Sequence, residues 1–302
     1  MRRAAAALAF VCASQLCARA DEVEQNFAYV PLLGAESLTI DQPLGKLTVR
    51  GWDQPEVRIH STKRANDPAT LDRLRVSVEL RDGSIRVQTG VRVAGKFVSM
   101  PVQSARIDLE IDAPRSALVR AQTWSGDVDA SGFRKGAELA SKTGEVRARD
   151  IDGSVRTSTL RARQWLEAIH GDVSADVEAA GDVELVSIDG DELDAHVDDG
   201  TITAKNVTTP VMRLFAAQGA VIFVGTLRAG GRYDFRVLAG DVRLQIPRAP
   251  FSIHARASAP ITSAFALKGR VTPTDVDADF QSGGPRLELT AVHGHITLDE
   301  KR

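Results

Sequence analysis

A short unit marked by glycine recurs along the middle of the chain and constrains its fold more than any other feature. In each copy a glycine precedes a polar residue, an apolar residue, any residue, and a small or apolar residue, as in Gly126 to Ala130. The copy at Gly190 departs from this pattern, because Glu192 takes the place of the apolar residue. Glycine enters tight turns at positive φ without steric cost, a conformation we expect at Gly126, Gly144 and Gly171. The alternation that follows is typical of a β-strand. The repeat therefore predicts a turn and a strand every nine or ten residues, or every second such interval, after Gly126, Gly144, Gly153, Gly171, Gly181, Gly190, Gly200, Gly219 and Gly240.

Strands at this spacing are found in two all-β architectures, the β-sandwich and the stacked β-solenoid. Similarity between the units favours the solenoid, because the strands of a sandwich need not resemble one another. Two units together give a coil of about 18–20 residues. We therefore predict an all-β chain folded as a parallel β-solenoid with a β-rich N-terminal cap, and keep the β-sandwich as the alternative. The inward positions predicted to be small are Ala130, Ala148, Ala175 and Ala204.

The first twenty residues have the three parts of a secretory signal peptide. Arg2 and Arg3 are positively charged, residues 4–17 are apolar, and Ala18-Arg19-Ala20 is the small-x-small pattern of a cleavage site. This apolar segment is shorter than the roughly 20 residues of a membrane-spanning helix. The pattern predicts cleavage after Ala20 and a periplasmic or secreted protein.

Removing this segment also removes both cysteines, Cys12 and Cys17. The remaining chain has no cysteine, so it cannot form disulfides, bind zinc through thiolates or use a cysteine nucleophile. The whole sequence has 38 Lys and Arg against 40 Asp and Glu, a net charge of −2, which excludes a strongly basic nucleic-acid binder. No later segment reaches 18 consecutive apolar residues, so we expect no transmembrane anchor.

The repeat divides the chain into four parts. We predict a signal peptide over 1–20, a β-rich N-terminal cap with the first coils over 21–115, the glycine-marked repeats over 116–267, and a loop with a C-terminal capping strand over 268–302. Asp67-Pro68 predicts the start of one short helix, because aspartate caps helices and proline fits their first turn. Loops are expected at 90–105 and 268–285.

Two groups of residues resemble a bacterial family of unknown function that bears the name "putative adhesin". One is the block Leu38 to Asp53 followed by Val57-Arg-Ile-His60, and the other is Thr-Trp-Ser-Gly-Asp-Val at 123–128. The resemblance implies a β-helical envelope protein with an adhesive role. It supplies no catalytic residues.

The richest acidic cluster allows two interpretations. β-Helix enzymes that cut acidic polysaccharides use carboxylates on adjacent coils, whereas Asp beside Gly commonly caps turns. Because most repeats have a polar residue at this place, we expect turn chemistry and no catalysis. No cluster of basic residues beside it in the sequence suggests a partner. Its members are Asp189, Asp191, Glu192, Asp194, Asp198 and Asp199.

Other chemistry-bearing residues give weaker signals. His293 and His295 have the spacing of two rings on one strand face, which could hold a metal if a third ligand were present. Trp52, Trp124 and Trp165 could stack on sugars, but we expect them to cover coil edges or ends.

We predict no catalytic residue, no cofactor and no metal. The expected function is an exported, non-catalytic surface that binds an envelope glycan or protein; a β-helix polysaccharide lyase or hydrolase and a purely structural scaffold remain alternatives.

Export gives the first testable prediction. Because signal peptidase cuts after the small-x-small pattern, N-terminal sequencing of protein from the native envelope should begin at Asp21. Intact Met1 on soluble cytoplasmic protein would contradict it.

Overall fold

The computed structural model describes residues 22–31, 37–81 and 83–301. The predicted signal peptide lies outside these residues. The described part is all-β, as predicted, with one short helix, α1 (Pro68–Leu71). Its strands are β1 (Glu22–Pro31), β2 (Ser37–Leu44), β3 (Leu47–Trp52), β4 (Glu56–Ala65), β5 (Leu74–Arg81), β6 (Ser84–Val93), β7 (Lys96–Val98), β8 (Ala105–Pro114), β9 (Leu118–Ser125), β10 (Val128–Ser131), β11 (Ala137–Ser141), β12 (Val146–Asp152), β13 (Val155–Thr159), β14 (Gln164–His170), β15 (Val173–Ala180), β16 (Val183–Asp189), β17 (Glu192–Lys205), β18 (Val211–Val224), β19 (Arg232–Ile246), β20 (Phe251–Ala257), β21 (Ile261–Ser263), β22 (Lys268–Val271), β23 (Asp275–Phe280), β24 (Arg286–His293) and β25 (Ile296–Glu300).

The helix forms where the sequence predicts it. The side chain of Asp67 accepts a hydrogen bond from the backbone N–H of Thr70 at 2.8 Å, and Pro68 occupies the first turn. This cap satisfies one of the N–H groups that a helix start leaves without a partner.

From β9 onward, the chain alternates between two sets of parallel strands. Ladder 1 contains β9, β11, β13, β15, the first halves of β17, β18 and β19, and β24. Ladder 2 contains β10, β12, β14, β16, the second halves of the same three long strands, and β25. Val128 lies opposite Val146, 18 residues later, and Met212 lies opposite Tyr233, 21 residues later. Each repeat therefore adds one strand to each ladder.

Antiparallel strands finish the N-terminal end of both ladders and the C-terminal end of ladder 1, whereas β21 adds to β25 of ladder 2 as a parallel strand. At the N-terminal end, β5 pairs with β6 and β4 pairs with both β8 and β1. At the other end, β23 pairs with β20 and β22 pairs with β23. The expected loop at 268–285 therefore holds two strands, and the expected loop at 90–105 holds β7. Strand β24 does not end its ladder, because it is inserted between β19 and β20.

Alternating side chains of both ladders point inward and form one apolar core. Val128 and Ala130, two and four residues after Gly126, are completely buried, and the four inward alanines predicted from the repeat are buried as well. The interior becomes aromatic toward the C-terminal repeats, where the rings of Phe223 and Phe235 lie 5.7 Å apart. The longer repeats occur where these larger side chains fill the core.

A cluster of buried polar residues around Gln164 interrupts the apolar interior. Gln164 accepts a hydrogen bond from the Thr157 hydroxyl at 2.6 Å, and its amide donates to Thr159 at 3.1 Å and to the carbonyl of Asp176 at 2.6 Å. These bonds offset the cost of removing the amide group from water. They also join a ladder 2 strand to two ladder 1 strands across the core.

The repeat glycines form two columns at two corners of the chain path. The first column precedes the strands of ladder 2, and a β-carbon on Gly219 would lie 2.0 Å from the carbonyl oxygen of Gly200. The second column precedes strands of ladder 1, and a β-carbon on Gly190 would lie 2.2 Å from the carbonyl oxygen of Gly171. Backbones of successive repeats therefore touch at these corners. The first column contains Gly45, Gly126, Gly144, Gly181, Gly200, Gly219, Gly240 and Gly294, with Ala162 beneath Gly181; the second contains Gly153, Gly171 and Gly190.

Two expectations about these glycines need correction. Gly144 and Gly171 do not have positive φ, although Gly126 does at +143°. Close backbone contact, and not a left-handed conformation, excludes a side chain at those two positions. Gly190, which departs from the sequence pattern, occupies a regular place in the second column. Its repeat is one residue longer at the corner, where Asp172 accepts hydrogen bonds from the backbone N–H groups of residues 191 and 192.

The columns predict a large difference between two glycine substitutions. Gly219→Ala should lower the free energy of unfolding by about 3 kcal/mol or more, because strain at its φ of +121° adds to the backbone collision. Gly230→Ala is the matched control, since Gly230 also has positive φ, +72°, but has open space around it. It should cost about 1 kcal/mol. Chemical denaturation measures both, and equal losses would contradict the role assigned to the column.

Candidate functional site

The outer face of ladder 1 carries a long polar groove. The register stacks Arg120, Glu138, Arg156, Ser174 and Asp194 in one row across five strands. The neighbouring row contains the small residues Ala140 and Ser158, which leave the surface depressed. Three adjoining depressions of about 540, 340 and 290 Å³ follow this face, and Arg156 lines all three. We call these depressions together the ladder 1 groove.

Ion pairs between neighbouring strands line the groove. Arg213 binds both Glu192 and Asp194, with 2.9 Å between its Nη1 and Oδ1 of Asp194. The hydrogen bonds that Arg213 donates to Asp194 and Glu192 raise the pKa of its guanidinium. Arg120 donates to Glu138 at 3.1 Å in the same way. These side chains are about half exposed, so the pairs order the surface more than they stabilise the fold.

A histidine lies in the C-terminal half of the groove. Nδ1 of His196 is 3.0 Å from a carboxylate oxygen of Asp176, and its Nε2 is 3.4 Å from one of Asp198. Its ring lies 5.1 Å from that of Phe215 on the next strand. The His196 and Asp176 side chains are 46% and 43% exposed, so water reaches this pair freely.

The acidic cluster at 189–199 is spread along one corner and one strand. Asp189 accepts a hydrogen bond from the Thr208 hydroxyl at 3.2 Å, whereas Glu192 and Asp194 bind Arg213. The sequence suggested no basic partner for this cluster, and that expectation was wrong. Arg213 comes from the next repeat, 19 residues beyond Asp194, and only the register of the ladder brings the two together.

The two C-terminal histidines do not share a strand face. Gly294 stands in the first glycine column, so His293 ends β24 and His295 lies beyond the corner. His295 contacts Asp241, with 3.3 Å between Nδ1 and Oδ1. Within the described part of the chain, no group of three His, Cys, Asp or Glu side chains has the arrangement of a metal site.

The three tryptophans lie in three different places. The indole N–H of Trp52 donates to the carbonyl of Glu56 at 2.8 Å, in agreement with a structural role. Trp165 is partly buried in the middle of ladder 2, so it does not cover an end. Trp124 is half exposed, with the ammonium of Lys142 4.5 Å from its ring centre.

Other surface features were not singled out from the sequence. Phe27 and Tyr29 on β1 are 63% and 60% exposed, and the ring of Phe27 stacks on His60 at 4.3 Å. The alternation of apolar and polar residues within 22–31 was the sequence signal that could have pointed to these exposed rings.

A depression of about 620 Å³ near β3 and β8 contains Arg64 and Arg106, which share Asp108 at 3.3 and 3.5 Å. Neither feature extends along several repeats as the ladder 1 groove does.

No protein-family model and no curated protein matches the sequence. Among solved structures, a protein from Parabacteroides distasonis is 11% identical with a TM-score of 0.49, over 92% of this chain and 97% of its own. A protein from Bacteroides fragilis is 13% identical with a TM-score of 0.45, over 93% of this chain and 98% of its own. Both are named "putative adhesin", which is also the name of the family that the sequence resembles. No helix in the described residues is long and apolar enough to span a membrane.

The exposed acids should tolerate loss of charge. Replacing Asp189, Asp191 and Asp194 together with Asn should change the free energy of unfolding by less than about 1 kcal/mol, because exposed ion pairs contribute little. Gln164→Ala provides the contrast and should cost about 2–4 kcal/mol, since it leaves buried partners without hydrogen bonds. Urea denaturation compares them, and a larger loss in the triple variant would contradict the surface assignment.

Proposed function

We propose that this chain is an exported β-solenoid of the bacterial envelope that binds an extended polar polymer without altering it. The export part of the proposal rests on the signal-like pattern of residues 1–20, and it includes cleavage after Ala20. The solenoid interpretation is supported by the alternation between two parallel ladders and by paired residues 18–21 positions apart. A chain that advances by one strand spacing per repeat offers the same kind of surface over and over.

The observation that carries the binding proposal is the ladder 1 groove. It crosses consecutive strands from β9 to β19 and is lined by hydroxyl, guanidinium, carboxylate and imidazole groups. Such groups form hydrogen bonds with a polar ligand, and an open groove of this length suits a chain molecule better than a compact one. An envelope glycan or an extended segment of an envelope protein has that form.

The predicted segments have matching structural roles in this proposal. Residues 21–115 cap the N-terminal end and begin the stack, and residues 116–267 supply the repeats. The antiparallel strands β22 and β23, within 268–302, cover the other end. Antiparallel strands at both ends support this division, because an uncovered solenoid end exposes core residues and unpaired backbone groups.

A polysaccharide-cleaving enzyme is the second candidate. It is favoured by one contact, in which Asp176 holds the imidazole of His196 in the groove, since a histidine oriented by a carboxylate can serve as a general base. Binding remains the better supported function because Glu192, Asp194 and Asp234 are bound to arginines and the groove is open to water. A catalytic acid or base usually works in a site that shields it from water.

Blocking the groove tests the proposed function. Ser174→Trp places a large ring at its centre, whereas Thr203→Trp places the same ring on the outer face of ladder 2. Kd values for purified envelope polysaccharides, peptidoglycan fragments and envelope proteins should rise about tenfold or more only in the first variant.

Two results would contradict this proposal. Equal affinity of both tryptophan variants for every polymer bound by the wild type would remove the groove from the binding site. New chain ends released from a polysaccharide by the wild type, but not by His196→Ala, would establish the enzyme.

A further inference from the structure

We infer that the polymer bound in the ladder 1 groove is an acidic polysaccharide, and that the guanidinium of Arg156 binds one of its carboxylates. This inference rests on the proposed function and specifies the ligand class for the same groove. It follows from the position of Arg156 and from the pairing of the charges around it.

Arg156 is at the centre of the groove. It is exposed on β13, between Glu138 of β11 and Ser174 of β15 in the register of ladder 1. It lines each of the three depressions, so a chain lying along the groove must pass over it. Ser158, two residues later on the same strand, faces the same side.

The carboxylates that line the groove already have partners. Glu138 binds Arg120, Glu192 and Asp194 bind Arg213, and Asp234 binds Arg236. Asp176 contacts His196, and Asp172 accepts hydrogen bonds from the backbone N–H groups of residues 191 and 192. Among the described residues lining the groove, all six acids therefore have a hydrogen-bond or ion-pair partner, and four of them have an arginine.

Two cations in the groove have no such partner. In the described part of the chain, no carboxylate oxygen lies within 4.0 Å of the charged nitrogens of Arg156 or Lys135. Glu138 neighbours Arg156 in the ladder, but its carboxylate is engaged by Arg120 on its other side. Arg156 and Lys135 are therefore the cations of the groove that have no carboxylate partner and can bind an anionic ligand.

A guanidinium without a carboxylate partner in the protein is well suited to bind a carboxylate of a ligand. It presents two parallel N–H donors whose spacing matches the two carboxylate oxygens. Hydroxyl groups of Ser158 and Ser174 beside it can bind sugar hydroxyls. These groups together fit a uronic-acid-type sugar, which combines one carboxylate with several hydroxyls.

The position of the groove favours a polysaccharide over an acidic peptide. Extended peptides commonly bind by adding a strand to a free sheet edge, where backbone groups lack partners. The groove instead lies on a face, where the strands already pair with neighbours on both sides. Only side chains are available there, and they repeat at the strand spacing of about 4.8 Å.

A polymer pair that differs only in charge tests this inference. Polygalacturonate fragments carry a carboxylate on each sugar, and their methyl esters keep the same backbone without that charge. The wild-type mature chain should bind the acid form about tenfold or more tightly than the ester. Arg156→Gln should remove this preference, weakening the acid form about tenfold and leaving the ester unchanged.

Two further variants serve as controls. Arg149→Gln removes the same charge on the outer face of ladder 2, where Arg149 binds Asp129, and should leave both affinities unchanged. Arg156→Lys keeps the charge but not the paired donors, and should fall between the wild type and Arg156→Gln. Unchanged thermal midpoints would show that all three variants fold.

Several outcomes would overturn the inference. They are no binding of polygalacturonate by the wild type, equal affinity for acid and ester, equal weakening by Arg156→Gln and Arg149→Gln, or tighter binding of poly-glutamate. If any of these occurred while Ser174→Trp still abolished binding of another polymer, the groove would remain the binding site and only its ligand class would change.

Discussion

Contact between backbones at the glycine columns is the constraint on which this structure depends. Strands in a parallel ladder lie about 4.8 Å apart, and at a sharp corner that spacing leaves no room for a β-carbon. At Gly144, Gly219 and Gly240 such an atom would lie within 2.0 Å of a carbonyl oxygen of the preceding repeat. Glycine at these corners lets successive repeats keep the same path, so inward side chains stack on inward side chains and outward ones on outward ones.

This stacking also creates the candidate site. Because the register is maintained, side chains from consecutive repeats form rows on the outer face of ladder 1, and small residues at Ala140, Ser158 and Ser174 leave a groove between larger neighbours. Charged residues within the rows pair across strands, as in Arg120 with Glu138 and Arg213 with Asp194. Arg156 is different because its neighbours are Ser174 and a glutamate that is already bound. The proposed function follows from that regularity, and the proposed ligand class follows from the position of Arg156, which has no carboxylate partner among the described residues of the groove.

Some parts of the fold could be predicted from local sequence alone. The residues two and four positions after the repeat glycines are buried, except after Gly190, and Asp67 caps a helix beginning at Pro68. Each depends on contacts within a few residues, which a local pattern encodes. The segment 268–285 was misjudged as a loop, because β23 acquires its partner from β20, more than twenty residues earlier. His293 and His295 were misjudged because Gly294 turns the chain between them.

The sequence by itself determined the all-β class, the period of the repeat and the inward positions, since glycine and apolar alternation act through local backbone geometry and burial. Only the tertiary structure decided that the glycines form two columns, that β24 is inserted between β19 and β20, and that Arg213 binds the acids of the preceding repeat. It also decided that Arg156 lies in a groove without a carboxylate partner. Contacts within the repeats depend on residues 18–21 positions apart coming into register, and the insertion of β24 depends on pairs 34 and 54 positions apart. A repeat in sequence gives the spacing along the chain but not which side chains meet across it.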